Sequence, residues 1–236
     1  MMKRFYGIMA SLLLLVSAAG EACAQRYQPR DTWPYLNEQF LEGTIRLMGG
    51  DLDEGRLLNI CIADGKLHYV EGSNIMEADM NKVYTAKIGD FVYVNRGGKM
   101  FKVLVETDHG AVLQFTEVDI EEMNKTDIGY GISSSTASSQ HTTLAGLGLT
   151  SEMGGFGIAG NSRYEEVLDN KASGKIIPQK ESQWLLVGGT MLPASRKDFL
   201  AFPGIDKDDA VKFLKENKIK WNKPLSLAKV VEYLAR

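Results

Sequence analysis

Between Glu42 and Asp119 the chain breaks into apolar stretches of four to nine residues separated by glycine-bearing turns. Connections this short force neighbouring segments to run antiparallel, because parallel pairing needs a crossover of about a dozen residues. The stretches are Gly43–Met48, Leu57–Ala63, Lys66–Val70, Ile75–Ala78, Val83–Ile88, Phe91–Asn95, Lys99–Glu106 and Ala111–Val118. Asp64-Gly65 predicts a two-residue hairpin between the second and third of them. Lys102-Val103-Leu104-Val105 and Val112-Leu113-Gln114-Phe115 mix polar and apolar positions as half-buried strands do. A meander of about seven or eight such strands has to curl or split to bury its apolar face. The expected fold is therefore mainly β with α (α+β), an antiparallel meander forming a small barrel or sandwich, followed by a C-terminal helical segment.

The composition changes at Gly129–Gly160, where eight glycines and ten serines or threonines fall among 32 residues. Such a segment buries too little apolar area to offset the ordering of its backbone, which predicts a flexible loop over 129–162. A strand is expected at Tyr164–Leu168, and Gln183–Val187 with Thr190–Leu192 reads as a hairpin returning to the β domain within 163–194. Residues 195–236 turn helical. Ser195 caps a short helix that Pro203-Gly204 stops, and Asp206 caps a second over Lys207–Asn217 with acids in its first turn and lysines near its last. Leu227, Val230, Val231 and Leu234 form one apolar stripe of a final helix.

The N-terminus carries an address. Lys3 and Arg4 precede an apolar or small run, Phe5–Ala19, and Ala22-Cys23-Ala24 offers small residues at both positions that a signal peptidase inspects. Residues 1–24 are thus expected to be a signal peptide, leaving a β domain over 25–128 in an exported, periplasmic or secreted chain. The run falls short of the ~20 residues that span a bilayer, so no transmembrane span is expected after cleavage near Ala24. Acylation of Cys23 in a lipoprotein is the less favoured alternative, because Glu21 and Gly20 fit that signal poorly. Cleavage leaves Cys61 as the one cysteine, and its apolar setting reads as a buried, inert thiol.

The net charge of −3 gives no global basic field for nucleic acid. Gln25–Ser195 carries a net −8 and Arg196–Arg236 a net +4, an asymmetry read mainly as solvated surface.

The tail Arg196-Lys197-Asp198-Phe199-Leu200-Ala201-Phe202-Pro203, with Glu216-Asn217-Lys218-Ile219 closing one helix and Leu227–Leu234 forming the last, resembles that of a family of secreted bacterial β-rich proteins. That family has no known activity. The resemblance implies export and a β domain with a lysine-rich helical tail, and it carries over no functional residue.

No catalytic signature emerges. Gly155-Phe156-Gly157-Ile158-Ala159-Gly160 matches G-x-G-x-x-G, but lacks the preceding strand and following helix that make it a phosphate cradle. His68, His109 and His141 show no metal-ligand spacing; His68 reads as a surface or satisfied core histidine, the other two as exposed. Asp51-Leu52-Asp53-Glu54-Gly55 reads as an acidic hairpin tip before a calcium loop, and Glu117, Asp119, Glu121 and Glu122 as a solvated strand end before a carboxylate pair. Trp33, Tyr35, Trp184 and Trp221 are the rings a glycan-binding surface would use, yet core packing is favoured. Catalytic residues are unknown and no cofactor or metal is expected. The favoured function is a non-catalytic binding or scaffolding module of the cell envelope whose partner is an envelope protein or glycan. The alternative is an envelope or glycan-directed hydrolase with residues 129–160 as a mobile lid.

Overall fold

A computed structural model describes residues 33–119, 121, 127–128, 132–133, 162–164 and 177–236. The candidate export signal with Cys23, the glycine run 155–160, His141, Glu122 and most of the expected loop lie outside the described residues, as does the expected strand beyond Tyr164.

The strands are β1 (Leu41–Leu47), β2 (Leu52–Ile60), β3 (Leu67–Glu71), β4 (Asn74–Glu77), β5 (Val83–Ile88), β6 (Phe91–Arg96), β7 (Lys99–Thr107), β8 (Gly110–Val118), β9 (Asp127–Ile128), β10 (Ile132–Ser133), β11 (Ser162–Arg163), β12 (Gln179–Val187) and β13 (Thr190–Pro193). Three helices, α1 (Arg196–Leu200), α2 (Lys207–Glu216) and α3 (Pro224–Leu234), close the chain. Apart from a separate β9–β10 pair, the strands form one antiparallel sheet in the order β11-β4-β3-β2-β1-β5-β6-β7-β8-β12-β13. The fold is thus mainly β with a helical C-terminal segment, and the sheet stays open, with β11 and β13 at its edges. The order also departs from a simple meander: after β4 the chain returns past three strands, β3, β2 and β1, and β5 pairs with the far edge of β1.

That return joins two meanders at one seam. Gly43 faces Ile88 across it, and a Cβ on Gly43 would collide with the Lys87 carbonyl oxygen and lie 2.8 Å from a Leu58 methyl. One face of the seam is filled by Ile45, Leu58, Ile60, Leu67, Ala86, Ile88 and Tyr93. Burial pushes the Tyr93 hydroxyl pKa up to about 12.

Further along the sheet the helices cover one face. Phe199, Ala210, Leu227, Val230 and Val231 are fully buried against Val112, Leu185, Val187 and Leu192. Their capping follows the sequence: Ser195 accepts from the Asp198 amide, and Asp206 accepts from those of Asp208 and Asp209. α3 begins earlier than its apolar stripe because Pro224 sits in the first turn, where its missing N–H costs nothing. The opposite face of these strands packs Val94, Phe101, Leu113 and Phe115, with the Trp184 ring edge-on to Phe101.

Gly43→Ala is expected to destabilise the fold by roughly 3 kcal/mol or more, since a backbone carbonyl cannot yield as a side chain can. Gly110→Ala, whose Cβ would strike the Leu186 carbonyl, should match it. Denaturant unfolding of both variants checks this, and near-neutral values would mean that the seam and the β8–β12 pair are looser than described.

Candidate functional site

The residues before β1 run beside the end of β2 and pair with residues 60–62, so that their side chains reach over β3. Leu36 donates to the Ile60 carbonyl at 2.9 Å, Ile62 donates to that of Pro34 at 2.8 Å, and Tyr35 bridges to Cys61. Asn59, fully buried, fastens this lead: its Oδ1 accepts from the Asn37 amide at 3.0 Å, while its Nδ2 donates to the carbonyls of Asn37 at 2.9 Å and Gln39 at 3.1 Å. Trp33, Tyr35 and Phe40 then pack edge to face over Cys61 and Ile75, with Tyr164 against Phe40. Trp33 and Tyr35 are core residues, and Trp221 packs on Phe199.

Beneath these rings a polar cluster converges. Cys61 pairs with Lys66 across Ile62–Gly65, a four-residue turn in place of the expected two-residue one, in which Asp64 Oδ1 accepts from the Lys66 amide at 3.0 Å. Because Asn59 opposes His68, residues 61, 66 and 68 share the face that Tyr35 covers. Donor atoms of Cys61, Asp64 and His68 all lie within 4.8 Å of one another. The Tyr35 hydroxyl lies 3.1 Å from His68 Nδ1, while His68 Nε2 faces Glu77 Oε2 at 4.0 Å, too far for a hydrogen bond. Lys66 ties the rim together, 2.7 Å from Glu77 Oε1 and 3.8 Å from Asp64 Oδ2.

Burial sets the electrostatics. It pushes the Cys61 thiol well above its ordinary range, and the Asp64 carboxylate adds to this. Burial and then the same two groups hold the Tyr35 hydroxyl protonated. His68 is lowered by burial, against the pull of Asp64 and Glu77, and so stays neutral. A protonated thiol 2 % exposed is no nucleophile. What the arrangement offers is sulfur, nitrogen and oxygen donors beside two carboxylates and one ammonium. The inert-thiol reading of Cys61 fits, but His68 is not satisfied: its Nε2 has no hydrogen-bond partner. Sequence reading treated each residue alone. The missed signal was the turn, since pairing Cys61 with Lys66 is what brings the spacing Cys61-x2-Asp64-x3-His68 to one point.

The other candidates disperse. Leu52–Gly55 belongs to β2 rather than to a hairpin tip; Asp53 opposes Ile45 and Glu54 opposes Thr44, so the two carboxylates leave the sheet on opposite faces. Glu117 opposes Lys180 on β12 and Glu121 is exposed. His109 Nδ1 lies 3.1 Å from Glu232 Oε2 of α3, a tie between the β7–β8 turn and the helical tail.

A second feature is the sheet surface around the seam. Glu54-Thr44-Lys87-Val92 and Leu52-Arg46-Thr85 run as cross-strand rows over β2, β1, β5 and β6. Leu52 is 53 % and Val92 44 % exposed, and Glu42, Thr44, Glu54 and Lys87 line a shallow open depression there.

Asn59→Ala is expected to cost about 3 kcal/mol, because it removes three hydrogen bonds, each worth about 1 kcal/mol, by which a fully buried side chain holds Asn37 and Gln39; thermal unfolding measures it. The pH dependence of His68 follows from its lowered pKa. Above the unfolded value of ~6.5 neither state is protonated at this site and it has no effect. Below that value the unfolded chain takes up a proton that the folded one refuses, so stability falls by up to ~1.4 kcal/mol per pH unit until the folded pKa is reached. Chelator-treated His68→Gln should lack this slope when unfolding is followed from pH 7 to 5.

No family model matches the chain, and neither a curated protein nor a solved structure shows significant similarity to it.

Proposed function

We propose that this chain is an exported, non-catalytic binding or scaffolding module of the cell envelope, working through the sheet surface around the β1–β5 seam. The observation that carries the reading is the pair of cross-strand rows: exposed Leu52 and Val92 flank Arg46, Thr44, Lys87 and Glu54 on a surface whose reverse side is packed core. Apolar residues set among charges on a rigid sheet match the composition of transient recognition surfaces. A shallow, open depression with both charge signs suits a protein segment or glycan laid along it better than an enclosed reaction. Export rests on Lys3, Arg4, the run Phe5–Ala19 and Ala22-Cys23-Ala24.

Mass spectrometry of the protein recovered from its native host is expected to find the mature N-terminus at Gln25; an acylated Cys23 would make it a tethered lipoprotein instead. In the same host, saturable binding to purified envelope fractions should fall at least tenfold in the double variant Lys87→Glu, Val92→Glu with its melting temperature unchanged. Equal binding by both proteins, or a glycan-hydrolysing activity abolished by Glu54→Gln, would overturn the reading.

A further inference from the structure

We propose that Cys61, Asp64 and His68 form a binding site for a zinc-class divalent metal ion, with Tyr35 at its rim and Glu77 behind the imidazole. Sulfur, imidazole nitrogen and carboxylate oxygen are the donor set that zinc takes, whereas calcium and magnesium select oxygen alone. Ligands around a tetrahedral zinc stand roughly 3.3–3.6 Å apart, given bond lengths of about 2.0–2.3 Å. The three donors, already within 4.8 Å of one another, therefore need rotamer shifts of only about an ångström.

Three further observations point the same way. The turn brings its own backbone close to the sulfur: the Ala63 and Asp64 amides favour the Cys61 thiolate, while burial and the Asp64 carboxylate oppose it. A thiolate bound to a metal is stabilised by that arrangement. The protonated Tyr35 hydroxyl, 3.1 Å from Nδ1, is able to donate to it; that assignment puts the His68 proton on Nε2 and leaves Nδ1 as the ligand atom on the side where Tyr35 meets Cys61 and Asp64. Nε2–H then points towards Glu77, 4.0 Å away and unbonded, on a ring 1 % exposed. Drawing Nδ1 onto a metal would fix that tautomer, and a small movement would let Nε2–H donate to the carboxylate, as ligating histidines do. Finally, Asp64 and Glu77 against Lys66 leave one excess negative charge at the cluster, to which the thiolate would add a second. Binding releases the Cys61 thiol proton to solvent, while the hydroxyl of Tyr35 either moves aside or supplies the fourth oxygen.

The site does not depend on the envelope reading, and the test needs no partner. Chelator-treated full-length protein is titrated with Co²⁺ and then with Zn²⁺. The expected result is about one equivalent of Co²⁺ bound with a sulfur-to-cobalt charge-transfer band, displaced by Zn²⁺, and a melting temperature raised by ~5–10 °C in excess Zn²⁺. Cys61→Ser should abolish the band, and Cys23→Ser should leave it intact. No band in the unaltered protein overturns the proposal, as does a band that survives Cys61→Ser but disappears with Cys23→Ser. Should Cys61→Ser not fold, the half-buried turn residue carries the test: Asp64→Asn should weaken Zn²⁺ at least tenfold with an unchanged metal-free melting temperature, and unaltered affinity overturns the proposal.

Discussion

The pairing of β1 with β5 is the constraint on which the rest of the molecule depends. It turns two local meanders into one sheet, and it does so through a link of only residues 78–82. Because this link contains a turn at Asp79–Lys82, it carries the chain from β4 past β3, β2 and β1 to β5 only if those strands curl steeply. The polar groups of the link are secured accordingly. Ala78 donates to Leu67, the Lys82 carbonyl accepts from Met48, and the buried Asn95 amide donates to the Met80 and Val83 carbonyls at 2.6 and 2.8 Å. Backbone groups left bare there would each cost about as much as a lost hydrogen bond, so Asn95 and Gly43 support one feature from its two sides.

The curl also decides where polar chemistry can sit. With one face of β1–β3 given to the aliphatic core, the other is open at β2 and β3, and the chain covers it with its own lead, Trp33 to Phe40. An aromatic roof excludes water while the strand edge beneath still carries Cys61, His68 and Glu77. Burial without full pairing is the result. The imidazole keeps an unbonded nitrogen, a state that native interiors rarely tolerate without a reason.

Local signals in the sequence were strong wherever a single element decided the outcome. Ser195 and Asp206 cap the helices, and the glycine turns delimit most strands, because capping and turn chemistry act over a few residues. Asp51–Gly55 misled in part: Asp51 does close the β1–β2 turn, where its carbonyl accepts from Leu47, but β2 runs through Asp53 and Glu54 with a bulge where Gly55 takes φ +72°. Strand order was not legible, since alternation in β5 gives the faces of that strand but not its neighbour. Nor was the polar cluster, which joins a lead, a turn and two strands. Cys61 and His68, taken alone, look like ordinary interior residues.

Burial at Cys61 works in two directions. The apolar roof that keeps the thiol protonated also shields it from oxidants and from other thiols. The same roof stands between solvent and any ion bound beneath it. Metal therefore has two routes: through the half-buried Asp64 on the turn, or before Trp33 and Tyr35 close over β2 and β3. In the second route the docking of the lead and the filling of the site become one event, and the Asn59 clamp, by holding the lead down, slows the exchange of the ion as well as the lifting of the lead. A site assembled this way is structural in character, because a lead that has to lift for each exchange cannot serve rapid turnover.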